Sequence, residues 1–299
     1  MTYGWAILII AVVLGALFQL GIFNASTFTP KAPPGACHVF RPNGPLTTSF
    51  INLQGICNGE LPQYVAVFNG QSSQVLVSSL KGISTITSAG SGKITIVGWG
   101  LSSDLGAVET MYGYYNVGDL SDITIIIDRY DCSPSQVITI SMQLGSLGGY
   151  NGELCNAQVS QNTWAFFAVT SDGSTINSYS SPSQGGSLAH NAGSITAGST
   201  IQSGSPFIIG ADSSSPLYKG WARWKGFVSN MQVYNTTLSQ AEITALYNEG
   251  IGGAPVQLKN LVGWWPLNGD TKDYSGNGNN GVPTGVSFTS SWESGYSAP

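Results

Sequence analysis

Residues 224–250 read WKGFVSNMQVYNTTLSQAEITALYNEG. The first part, GFVSNMQVY (226–234), is a run of β-branched, aromatic and apolar residues that reads as a strand. After the Asn-Thr-Thr turn the period changes. Ser239-Gln-Ala-Glu242 is a capping box, in which the serine hydroxyl and the glutamate carboxylate satisfy each other's backbone N–H groups. Ile243, Leu246 and Tyr247 then share one helical face, and Gly250 supplies the stop. Such a helix, about eleven residues long, is too short to hold by itself in water, so it must lean on a sheet.

Working outward, the rest of the chain beyond residue 36 repeats the strand signal. YVAVF (64–68), ITIVGW (94–99), ITIIID (123–128), VITISM (137–142), WAFFAVT (164–170), FIIG (207–210) and LVGWWPL (261–267) are short β runs between Gly, Ser and Asn turns. GSLGGYNGE (145–153) and the polar stretch 171–206 read as loops. Many strands and scarcely a helix predict a mainly β fold, an antiparallel sandwich of the jelly-roll kind, in one domain over residues 36–299.

Composition narrows the partners. Charged residues are only 8% of the 299 and hydrophobic residues 42%, with a formal net charge of −5 and ten basic side chains. A chain so poor in lysine and arginine has no basic patch with which to release counterions from nucleic acid. Its exterior must be wetted by neutral polar groups, by glycans or by other copies of itself.

Nothing from Met1 to Pro30 is charged. Tyr3 to Phe23, YGWAILIIAVVLGALFQLGIF, predicts one long hydrophobic α-helix, which at about 1.5 Å per residue spans roughly 31 Å, the thickness of a bilayer's hydrocarbon. Residues 1–35 thus form an apolar helix followed by a proline-rich neck, NASTFTPKAPPGA. A cleaved signal peptide would show a basic leading region, a shorter core and a small-residue cleavage site, and none is clear. A single-pass anchor fits the length; so does a helix that is held in the membrane first and later packed in a filament core.

MTYGWAILIIAVVLGALFQLGIFN resembles the N-terminal segment of archaeal type IV pilin-like proteins with class III signal peptides. In that family a prepilin peptidase removes a short basic leader, which here would lie before Met1. The resemblance implies a structural subunit that polymerises with itself into an extracellular, adhesive filament, inserted in the membrane before the pilus assembly machinery takes it up. Tyr3, Trp5, Ile9, Val13, Leu17 and Leu20 would then be residues of the assembly helix. Trp224 to Gly250 is similar to the closing strand and helix of laminin-G-like, concanavalin-A-type jelly rolls, and the earlier strands fall in that family's order. LVGWWPLNGDTKDYSGNGNNGV (261–282) resembles the segment that opens such a domain, yet lies near the C-terminal end. It is expected to fold back and supply a missing strand, as in a circular permutation.

Candidate chemistry is sparse. Glucanases on this fold carry Glu-x-Asp-x-x-Glu on one strand, but none of the six glutamates has aspartate two positions later. His38 and His190 read as loop residues rather than members of a triad. No enzyme is expected, and no cofactor beyond calcium. Asp128 with Asp131, and Asp270 with Asp273 before SGNGNNG, crowd oxygen ligands of the kind Ca²⁺ prefers, although Asp and Asn also simply form turns. Trp221, Trp224, Trp264 and Trp265 are candidates for a sugar-stacking platform facing surface glycans. Trp264 and Trp265 must face opposite sides of a strand, which assigns one to the core. That platform belongs to the rival reading, a single-copy, membrane-anchored carbohydrate-binding protein.

Asn24-Ala-Ser26 and Asn235-Thr-Thr237 are N-glycosylation sequons, meaningful if the chain is exported. Cys37, Cys57, Cys132 and Cys155 are an even set beside a secretory-looking start, which favours two disulfides. Three pairings are open; Cys37–Cys57 and Cys132–Cys155 are the expected ones, because each closes a short local loop.

Overall fold

In a computed structural model of the chain, the described residues are 37–42, 50–55, 61–87, 91–105, 109–115, 122–128, 137–143, 154–181, 188–194, 200–211 and 223–296. The chain divides into two compact units, Met1–Pro33 and Pro34–Pro299. The whole first unit, with the expected helix and Asn24, lies outside the described residues. Among the described residues no helix is long and apolar enough to cross a membrane.

The strands of the second unit begin with β1 (Cys37–Pro42), β2 (Phe50–Gly55), β3 (Val65–Asn69), β4 (Gln74–Val77) and β5 (Ile86–Thr87). Next come β6 (Ile94–Ser102), β7 (Glu109–Tyr115), β8 (Asp122–Asp128), β9 (Val137–Gln143) and β10 (Leu154–Gln158). Then follow β11 (Trp164–Ser171), β12 (Thr175–Ser180), β13 (Ala189–Ser194), β14 (Thr200–Ile201) and β15 (Phe207–Ile209). The chain ends with β16 (Lys225–Tyr234), helix α1 (Gln240–Asn248), β17 (Leu261–Trp265), β18 (Val282–Thr284) and β19 (Ser287–Thr289).

A seven-stranded antiparallel sheet runs β10-β9-β8-β7-β15-β4-β18, and an eight-stranded one contains β13-β12-β11-β6-β16-β3-β19 with β17 added beside β16. Two small ribbons, β1-β2 and β14-β5, complete the described pairings. This is the antiparallel jelly-roll sandwich that the strand pattern predicts. The stretch 171–206 is not simply loop, however: β12, β13 and β14 lie in it. TINSYS and AHNAGS are polar because they approach the edge of a sheet, where pairing does not require an apolar alternation.

Burial follows the period-2 alternation of β6 and β11. Ile94, Ile96 and Val169 point inward with Ala66, Phe68 and Trp265, and meet Val75, Val77, Tyr112, Phe207 and Ile209 of the other sheet. Gly98 and Gly100 also face this core. A side chain at Gly98 would strike the Met231 sulfur, and one at Gly100 would strike Met111 and Trp224. The alternate positions Val97, Trp99, Leu101, Phe166 and Ala168 point the other way. There they are covered by Ile243, Leu246 and Tyr247 of α1 and by Trp292. All nine residues of β6 are therefore buried. The capping box forms as read: Ser239 Oγ accepts from Glu242 N–H, and the Glu242 carboxylate accepts from Ser239 N–H at 2.8 Å. Hydrogen bonds from Gln257 and Ser239 hold Glu242 below the usual carboxylate range.

β16 is the central strand. One edge pairs with β6; the other is shared, Lys225–Val228 pairing with β3 and Met231–Tyr234 with β17. The hand-over falls at Asn230, which sits at φ 52° and donates its N–H to Pro266 O at 3.1 Å. Asparagine tolerates this left-handed conformation better than most residues. Its buried carboxamide oxygen accepts from Trp264 Nε1 at 2.9 Å and Gln232 Nε2 at 3.0 Å, and its Nδ2 donates to Gly253 O at 2.8 Å. β3 and β17 are themselves tied end to end, Tyr64 N–H donating to Asn268 Oδ1 at 2.7 Å. Beyond them β18 pairs with β4 of one sheet and β19 with β3 of the other, so the C-terminal segment belongs to both layers.

Asn230→Ala leaves two buried donors and one carbonyl unpaired and should cost about 3 kcal/mol in urea unfolding followed by tryptophan fluorescence. A loss below about 0.5 kcal/mol would show that the carboxamide is dispensable. Deleting residues 258–299 removes β17, β18, β19 and Trp292 and uncovers both cores. The truncated chain should aggregate on expression; a soluble product with unchanged Tm would contradict this pairing.

Candidate functional site

The tryptophans picked from the sequence lie inside. Trp224, Trp264 and Trp265 are each 1% exposed or less. Trp265 faces the inter-sheet core and stacks on Phe207 at 5.3 Å between centroids. Trp264 faces the opposite side, as alternation requires, but that side is covered by α1 and the C-terminal residues. Their ring N–H groups are bound internally, Trp264 to Asn230 Oδ1, Trp265 to Asn279 O and Trp224 to Phe227 O. A sugar platform on Trp224, Trp264 or Trp265 is therefore corrected: both faces of the strand are roofed, so no ring is presented to solvent. Trp221 lies outside the described residues.

The acidic turn 270–281 works as a clip. Asp273 Oδ1 accepts from the N–H groups of Trp264 (3.0 Å) and Ser275 (2.7 Å), and Oδ2 from Ser275 Oγ and Asn279 N–H, both at 2.8 Å. Four donors occupy this carboxylate, which fastens the loop to β17 rather than opening toward a cation. Asp270 accepts from Tyr274 Oη at 3.0 Å and lies 3.7 Å from Lys272 Nζ. Burial, with the Asp270 charge beside it, pushes the Tyr274 hydroxyl up to about 12. Among the described residues no three His, Cys, Asp or Glu side chains gather as a metal site. Asp128 ends β8 and Asp131 lies outside the described residues, so neither carboxylate is placed.

The histidines are strand residues, not loop residues: His38 is in β1 and His190 in β13. His190 stacks on Tyr179 at 4.6 Å, and its Nε2 lies 3.2 Å from Asn177 Oδ1, an amide rather than a triad carboxylate. Cys37 is in β1 and Cys155 in β10; Cys57 and Cys132, and with them both expected pairings, lie outside the described residues. Asn235 is exposed, in the turn between β16 and α1.

One cluster escaped the sequence reading. The end of β6 and the starts of β7 and β16 bring Ser102, Asp104, Glu109 and Lys225 together. Glu109 is 2% exposed, and its Oε2 has no hydrogen-bond partner. Burial raises its carboxyl to about 8, with the Asp104 charge adding to the shift; hydrogen bonds from the Ser102 side chain and the Lys225 backbone, and the Lys225 charge, oppose it. At neutral pH Glu109 is thus mostly a buried, uncharged acid. Outside it, Lys225 Nζ and Asp104 form an ion pair at 3.0 Å, exposed enough to contribute under about 1 kcal/mol. Further along β7, Thr110 Oγ1 and Tyr112 Oη are also buried without partners. Two carboxyls near each other suit acid–base chemistry only where a substrate reaches both, and Glu109 is enclosed.

Because the folded-state value lies above the ordinary carboxylate value, stability is greatest below about pH 4.5 as far as this group is concerned. It falls as the unfolded chain ionises and the folded chain does not, up to about pH 8. Relative to Glu109→Gln, the wild-type chain should lose about 3 kcal/mol of stability between about pH 5 and pH 8. Superimposable stability profiles for the two proteins would overturn a neutral Glu109.

Residues 121–244 match a laminin G-type family model described as the concanavalin A-like lectin/glucanases superfamily. No curated protein matches the chain. Among solved structures it is similar to a heptameric SAP-like pentraxin from Limulus polyphemus, with 11% identity over 76% of this chain and 94% of that one, at a TM-score of 0.52. A putative carbohydrate binding protein from Bacteroides ovatus aligns at 14% identity over 76% of this chain and 60% of that one, at a TM-score of 0.49. The pentraxin likeness agrees with the observed layers and strand pairing of a jelly-roll sandwich, and residues 121–244 within it are similar to laminin G-type, concanavalin A-like domains.

Proposed function

We propose that the chain is a pilin-like structural subunit that displays this jelly roll on an extracellular filament. The observation that carries the reading is the uncharged apolar run Tyr3–Phe23, followed by a proline-rich neck and a separate compact unit from Pro34. In water such a run has to be buried, and identical neighbours offer that burial; at about 25 cal/mol per Å² it hides enough apolar surface to hold subunits together without covalent links. Gly4, Ala6, Gly15 and Ala16 allow close helix approach. The subunit is inserted in the membrane before assembly, its partners are its own copies and the assembly machinery, and the filament adheres to surfaces or glycans. No catalytic role is assigned.

The rival, a single-copy anchored carbohydrate-binding protein, shares the anchor and the sandwich and is favoured by the lectin-like fold. It has lost the support of Trp264 and Trp265, which are spent on the two cores.

Val13→Asp puts an unpaired charge among packed helices at a cost of several kcal/mol per subunit. Wild-type cells should show filaments by negative-stain microscopy, with this chain identified in the sheared material, and the variant should show at least about tenfold fewer at equal surface level. Normal filaments from Val13→Asp, or wild-type protein present only as single copies in the membrane, would sink the filament reading.

A further inference from the structure

The sequon at Asn235 has a structural history that its three letters do not reveal. The Asn235 N–H and carboxamide, the Thr236 carbonyl and the Thr237 hydroxyl are each bound, in the folded protein, to a distant part of the chain. Asn235 N–H donates to Asn260 O at 3.0 Å, its Nδ2 donates to Gly82 O at 3.2 Å, and its Oδ1 accepts from Asn260 Nδ2 at 3.1 Å. Thr236 O accepts from Thr95 Oγ1 at 2.7 Å, and the same hydroxyl accepts from Leu238 N–H at 3.0 Å. Thr237 Oγ1, the hydroxyl that makes the triplet a sequon, donates to Ser171 O at 3.1 Å. The partners come from β6, β11, the residue before β17 and the turn after β4, so none of these bonds exists until the sandwich has closed.

We propose that Asn235 is an N-glycan acceptor used while the chain is unfolded and shut by folding. In the transfer, Asn235 Nδ2 attacks the anomeric carbon of a lipid-pyrophosphate-linked oligosaccharide. The C–N bond forms, the C–O bond to phosphate breaks, the lipid pyrophosphate leaves with the electron pair, and one amide proton goes to solvent. The product remains compatible with the fold. The glycosylated nitrogen keeps one N–H for Gly82 O, Oδ1 stays open to Asn260, and the Asn235 side chain is exposed, so the sugar extends into solvent. The site lies at the turn into α1, and it requires that the chain be exported, not that it polymerise.

The test uses the purified full chain with an oligosaccharyltransferase and its lipid-linked donor, comparing native protein with protein held in mild denaturant, and reading modification at Asn235 by peptide mass mapping. A model acceptor peptide in the same buffers controls for enzyme activity, and Asn235→Gln separates this site from Asn24. Modification at Asn235 should be at least about tenfold faster on the unfolded chain, because native access needs local opening. Equal rates on native and unfolded chain would overturn the gating by folding. An unfolded chain left unmodified at Asn235 while the model peptide reacts would overturn the acceptor itself.

Discussion

β16 carries hydrogen-bond ladders along both edges, and its second edge is divided between two strands from opposite ends of the unit, β3 and β17. The division obliges the chain to bring residues near 65 and residues near 265 end to end beside one strand. Asn230 makes the junction tolerable: it takes the left-handed turn, hands its N–H to Pro266 O, and satisfies Trp264 and Gln232 from a single carboxamide oxygen. A buried ladder broken at this point without such partners would leave several backbone and side-chain groups unpaired, each costing about 1–3 kcal/mol. The position of Trp264, and with it the covering of the outer face, depends on that junction.

The outer face takes up many of the aromatic side chains among the described residues. Trp99 stacks on Tyr247 of α1 and meets Tyr296 edge-on, while Trp164 and Trp292 meet at right angles. Trp164 Nε1 donates to Trp292 O, Trp292 Nε1 to Pro62 O, and Tyr296 Oη accepts from Ile251 N–H. The short helix and the C-terminal residues thus form a third layer. A sheet buried on both faces is stable without surface charge, in keeping with the chain's scarcity of charged residues.

Glu109 and its neighbours on β7 depart from this pattern. The Glu109 carboxyl sits where the sheets meet, beside Ser102 and the Lys225 backbone, with one oxygen unbound. With Thr110 and Tyr112 beside it on β7, this buried acid is a local cost retained at the end of the sandwich where Asp104 and Lys225 meet solvent.

Short-range chemistry was readable from the amino-acid order. The capping box at Ser239, the strands with continuous apolar runs, and the opposed facing of Trp264 and Trp265 all depend on neighbours within a few residues, through helical or pleated periodicity. β12 and β13 were not readable, because polar strands near a sheet edge carry no apolar period. The expected platform failed on the same principle: alternation says that two tryptophans face opposite ways, but not that helix and tail will roof the second face. Glu109 was hidden because its burial is created by β6 and β16, and no local pattern marks a residue whose environment comes from other strands. Only folding decides which distant groups meet, since burial, shifted acidity and a closed sequon are properties of contacts between segments remote in the chain.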